Sequence, residues 1–121
     1  MEYKFRGFDV IGEKWVYGDL VHNKKVTKTG LEPRTMVGGY EVAPESVGVY
    51  IGKKDDFGER LFEGDICTIY CYGRAFNAVV AYLETKACFG FKSGSLFTPV
   101  DFVTTCKKIG TMYQNKELLD E

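Results

Sequence analysis

Apolar and polar positions alternate with a period of two in short runs along most of this chain, and glycines or small polar clusters separate the runs. The first run extends from about Glu2 to Asp9, with Tyr3 and Phe5 on one face and Lys4 and Arg6 on the other. Gly12-Glu13 turns the chain into a second run, Lys14 to His22, anchored by Trp15 and Tyr17, and the two predict an N-terminal hairpin. Residues 23–34 are polar and read as a long loop or a mobile hairpin. Gly38-Gly39 predicts a bulge or turn before Tyr40, and Ala43-Pro44-Glu45-Ser46 one helical turn, since proline suits a first-turn position. Further strands are predicted at Val47–Gly52, Ile66–Tyr72, Phe76–Leu83, Ala87–Phe91, Phe97–Val103 and Cys106–Tyr113. Asn115 is placed to cap a short C-terminal helix carrying Leu118-Leu119.

Composition agrees with the pattern. β-branched and aromatic residues far outnumber leucine and alanine, and 14 glycines break the chain into short pieces, so a sheet or barrel is favoured over helices. At 121 residues with 45% apolar content, the chain is expected to form a single domain, residues 1–121, and no linker interrupts it. No apolar run reaches the length of a membrane span, and the N-terminus lacks the apolar stretch of a secretory signal. A cytoplasmic protein without membrane contact is the expectation.

Charge is balanced, with 16 basic and 17 acidic residues. A domain that binds nucleic acid mainly through electrostatics is usually clearly basic, so this balance argues against one. Locally the picture differs: Lys24, Lys25, Lys28 and Arg34 face only Glu32 within residues 22–34. The four cysteines, Cys67, Cys71, Cys88 and Cys106, have no C-x-x-C spacing, and His22 lies far from them in sequence. Cys67 and Cys71 share a strand face but sit about 13 Å apart, too far to bond to each other. They read as buried free thiols, and no metal or cofactor is expected.

A Gly-Asp pair followed by an aliphatic residue occurs twice, at Gly18-Asp19-Leu20 and Gly64-Asp65-Ile66. Glycine takes backbone angles closed to other residues, aspartate hydrogen-bonds neighbouring amides, and the aliphatic residue starts a core-facing strand. The alternative groups Asp19, Glu63 and Asp65 as metal-binding or acid–base carboxylates, but nothing in the spacing brings Asp19 to the others. Asp55, Asp56 and Glu59 lack the alternation of a calcium loop, so Lys53–Gly58 reads as a β-turn in which Gly58 supplies a positive φ. No serine or cysteine sits in a nucleophile motif, and no glycine-rich phosphate loop is present. No catalytic residue is expected, and an enzyme is the least supported class.

Residues 52–66, GKKDDFGERLFEGDI, resemble the signature of the YopX family, in which a G-x-K-D-x-x-G turn runs into an E-G-D-[IV] turn. Lys4–Asp9 with Lys14–Leu20 resembles that family's opening, Pro44–Gly48 the start of its central block, and Lys108–Asn115 with Glu117-Leu118-Leu119 its closing segment. The resemblance implies a mainly β fold of small sheets with a partial barrel, and a bacteriophage or prophage origin. It carries no established activity and no catalytic residues.

The aromatic content supplies the remaining hint. Nine Phe, eight Tyr and one Trp exceed what a core of this size needs. Tyr70, Tyr72, Arg74 and Phe76 alternate and are candidates for an exposed face. Such a face suits a protein interface, or single-stranded nucleic acid stacking beside a guanidinium with help from Lys24 and Lys25. Binding to an unknown protein is the primary expectation, with self-association possible because small β domains must protect their edges. A single-stranded nucleic-acid-binding module is the alternative.

Overall fold

A computed structural model describes residues 4–119. The expected positions of Glu2 and Tyr3 therefore lie outside the described residues. Length and the absence of a linker point to one domain; the chain is arranged as two compact units, Met1–Tyr50 and Ile51–Glu121. Each is built of short antiparallel strands, and the chain as a whole is mainly β in small sheets, including a half-barrel sheet.

In the first unit, β1 (Phe5–Asp9) and β2 (Lys14–Gly18) form the expected N-terminal hairpin, with Phe5 opposite Gly18 and Asp9 opposite Lys14. Asp9 shapes the turn by accepting the Gly12 N–H at 3.0 Å. Arg6 is buried, with its guanidinium 4.6 Å from the Trp15 ring centre. The second run does not continue to His22. It stops at Gly18, and β3 (Leu20–Thr27) begins a new sheet beyond Asp19. The break has a steric cause: a Cβ on Gly18 would sit 2.7 Å from the Gly38 Cα, so two backbones cross where only glycine fits.

The polar stretch 23–34 is a hairpin whose arms are full-length strands. β3 pairs residue for residue with β4 (Gly30–Val37), from Leu20 opposite Val37 to Thr27 opposite Gly30. Gly38-Gly39, both at positive φ, then turn the chain into β5 (Tyr40–Val42). Pro44–Ser46 is the expected helical turn, of 3-10 type. The Ser46 hydroxyl ties it to β1 by accepting the Phe8 N–H at 2.7 Å. Val16, Val37 and Val42 form this unit's core. β6 (Gly48–Lys54) pairs its first residues with β1 and carries the chain into the second unit.

The second unit contains β7 (Arg60–Phe62) and five further strands: β8 (Asp65–Cys71), β9 (Arg74–Leu83), β10 (Cys88–Ser93), β11 (Leu96–Pro99) and β12 (Thr105–Thr111). These five form one antiparallel sheet in the order β11-β10-β9-β8-β12. Its inner face packs Cys67, Ile69, Ala78, Val80 and Phe91 into a core together with Leu61 of β7. The C-terminal helix is a short 3-10 turn, Lys116–Leu119. Asn115 spends its side chain elsewhere, since Oδ1 accepts the Thr111 N–H at 3.1 Å and so faces back to β12.

Candidate interaction site

The stretch 52–66 is a structural clasp within the second unit. Asp55 Oδ1 accepts the Phe57 and Glu59 N–H groups at 2.9 and 2.8 Å, and Oδ2 accepts the Lys108 N–H of β12 at 2.9 Å. Burial works against the charged Asp55 carboxylate. The Lys108, Glu59 and Phe57 amides outweigh it, so the group ionises below the ordinary carboxylate value. Asp56 bonds Cys106 twice, its Oδ2 accepting the Cys106 N–H and its own N–H donating to the Cys106 carbonyl. Gly58 and Gly64 hold the expected positive φ, 85° and 95°.

Asp65 is fully buried. Its Oδ2 accepts the Phe62 N–H at 2.7 Å and lies 3.2 Å from Lys108 Nζ, which also donates to the Arg60 carbonyl. Every aspartate oxygen named here is committed to a backbone amide or to Lys108, which explains the motif as a turn-and-tether device. Asp19, in the other Gly-Asp pair, is exposed and belongs to the first unit. Among the described residues no group of three or more His, Cys, Asp or Glu is placed to hold a metal ion.

Lys24 and Lys25 stand in the middle of β3, not in a loop. Lys25 forms an ion pair with Glu41 at 3.0 Å, while Lys24 is exposed and makes no ion pair among the described residues. Tyr70, Tyr72, Arg74 and Phe76 belong to the β8–β9 hairpin of the other unit, and they do not share one face. Tyr70 lies opposite Ala75 and Thr105, on the outer face. Arg74 and Phe76 oppose Cys71 and Ile69, on the inner side. Phe76 is half-buried against the core, with the Arg74 guanidinium 5.1 Å from its ring centre. Tyr72, with Gly73, forms the two-residue turn and is exposed. The hairpin register sets even-numbered residues of β9 opposite odd-numbered ones of β8, so Tyr70 is parted from Arg74 and Phe76.

The structure brings forward two residues that the sequence reading passed over. Val26 and Leu31 lie directly opposite each other near the tip of the β3–β4 hairpin and are 84% and 65% exposed. Their signal was present as an apolar pair flanking Lys28-Thr29-Gly30, but the surrounding lysines masked it. Nearer the base, a hollow of about 270 Å3 is walled by Val10, Ile11, Val42 and Pro44, with the Lys25–Glu41 pair at its rim. Ile11 is 95% exposed. The hairpin arm and the β1–β2 turn thus present apolar side chains that the first unit's core does not use.

Small antiparallel sheets, with residues 52–66 folded into a clasp, define a β-rich domain protein. The family model for YopX protein matches residues 4–120, and the chain belongs to the YopX family. It also shares its fold with the crystal structure of protein EF1440 from Enterococcus faecalis, at a TM-score of 0.59 and 20% identity, covering 99% of each chain. None of the curated proteins compared with the chain matches it.

Proposed function

We propose that this protein is a non-catalytic protein-interaction module, encoded by a phage or prophage and acting in the cytoplasm of the bacterial host. The observation that carries the interaction reading is the Val26–Leu31 pair. Two large aliphatic side chains face each other across a hairpin, exposed, where neither contributes to the core of its unit. Exposing them costs solubility, and a partner surface offsets that cost. The signature carboxylates are engaged in holding turns, which supports a role without catalysis. Four free cysteines, three of them buried, suit a reducing compartment, and no helix among the described residues is long and apolar enough to cross a membrane. The family resemblance supports the phage origin.

The test compares the protein with a Val26→Ser/Leu31→Ser double variant by affinity capture from infected or prophage-bearing cells. A stoichiometric partner held by the first and lost by the second, at unchanged thermal stability, is the expected result. Equal capture by both would sink the assignment of this surface. Tight binding to single-stranded oligonucleotides that collapses with added salt would replace the reading with a nucleic-acid one.

A further inference from the structure

We propose that the outer edge of β3 accepts an extended acidic segment of a partner protein as an added antiparallel or parallel strand. The inference rests on the interaction reading above and specifies how the partner is held. Among the described residues β3 pairs only with β4, so its eight residues, Leu20–Thr27, form an open edge. Open edges present a row of N–H and C=O groups ready to bond another chain. Pro33 has no N–H to give, which fits its place opposite Lys24 at a position where the two strands exchange no hydrogen bonds. By alternation, the backbone groups of His22, Lys24 and Val26 then point away from β4, toward an incoming strand. Every residue from Val21 to Lys24 is exposed, as is Val26, so most of β3 is open to solvent.

Charge decides the occupant. Lys24 and Lys25 stand at the centre of the edge on opposite faces, Lys28 follows in the turn, and the neighbouring strand adds Arg34 and, opposite Lys25, Glu32. Lys25 is engaged by Glu41, whereas Lys24 and Lys28 make no ion pair among the described residues. A second copy of this chain is a poor occupant, because central antiparallel self-pairing sets the lysines of the two copies against or beside each other. Like charges across a strand pair are destabilising, and opposite charges are favourable. The same lysines that block self-pairing therefore select glutamate- or aspartate-bearing strands. Val26 on the face of Lys24 and Val21 on the other face add apolar contact for branched side chains of the incoming strand.

The experiment titrates the full chain with three fluorescent octapeptides. One alternates glutamate and valine, one alternates lysine and valine, and one is the acidic peptide N-methylated at every residue, so that neither of its edges can donate to β3. Binding of the acidic peptide, with affinity falling about tenfold or more on Lys24→Glu and on N-methylation, is the expected result. New amide-exchange protection at His22, Lys24 and Val26 should accompany it. No binding of the acidic peptide, or equal binding of its N-methylated form, overturns strand addition. If the two acidic forms bind equally and Val26→Ser/Leu31→Ser abolishes both, strand addition fails while the interaction reading survives. If a single-stranded oligonucleotide binds and no peptide does, both fail.

Discussion

Lys108 is the residue around which the second unit's turns are organised. Its backbone N–H reaches Asp55, 53 residues earlier, while its ammonium group reaches Asp65 and the Arg60 carbonyl. A carboxylate held by three amides is favoured in its charged form, so the folded pKa of Asp55 lies below the unfolded value. The stabilisation is present above the unfolded value, about pH 4, and is lost as pH falls through the folded one. Acid titration of stability should therefore show a loss below about pH 4 that is shallower in Asp55→Asn. Identical acid limbs would show that Asp55 contributes nothing there. Gly64, at φ 95°, allows the turn that presents Asp65. Gly64→Ala should lower stability by about 1 kcal/mol or more in chemical denaturation, and an unshifted midpoint would remove the glycine's role.

At the level of elements, turn chemistry explains most strand boundaries. Gly38-Gly39 and Gly64 turn the chain where glycine punctuation predicts. The β8–β9 turn is different, because its first residue is Tyr72 at φ 54°, a conformation that suits asparagine or glycine far better. Tyr72→Asn should stabilise the hairpin by up to about 1 kcal/mol, read as a raised denaturation midpoint. If stability falls instead, the exposed ring is making a contact that offsets its backbone strain. The β3–β4 hairpin shows the opposite mismatch between sequence and element. Its polarity suggests a long loop or a mobile hairpin, and a complete hairpin ladder forms, because backbone pairing does not require apolar side chains and most of β3 meets solvent.

For the whole molecule, thiol burial gives a direct test of the packed core. Cys67 is fully buried, and the neighbouring Cys106 thiol together with burial raises its pKa, which keeps it protonated and unreactive. Cys71 and Cys106 are also buried, while Cys88 is half-exposed. A thiol reagent added to the native protein should label Cys88 first, with Cys67 and Cys71 following only at the rate of unfolding. Rapid labelling of Cys67 or Cys71 would contradict the packing of the five-stranded sheet.

The sequence by itself determined the fold class, the family, most strand positions and the turns at Gly12-Glu13, Gly38-Gly39 and Gly58, because these depend on local backbone preference and on a period-two pattern read within a few residues. It also placed the Gly64-Asp65-Ile66 motif in a turn. Only the tertiary structure decided which residues share a surface. Tyr70 parted from Arg74 and Phe76 because successive strand residues face opposite ways, and the hairpin register fixes which way each one points. Arg6 went inside, with its guanidinium against the Trp15 ring of the neighbouring strand. Lys108 met Asp55 and Asp65 through strand pairing between segments distant in the chain, and no local signal encodes such a meeting. The open edge of β3 is likewise a property of the sheet's strand order, which exists only once the strands have paired.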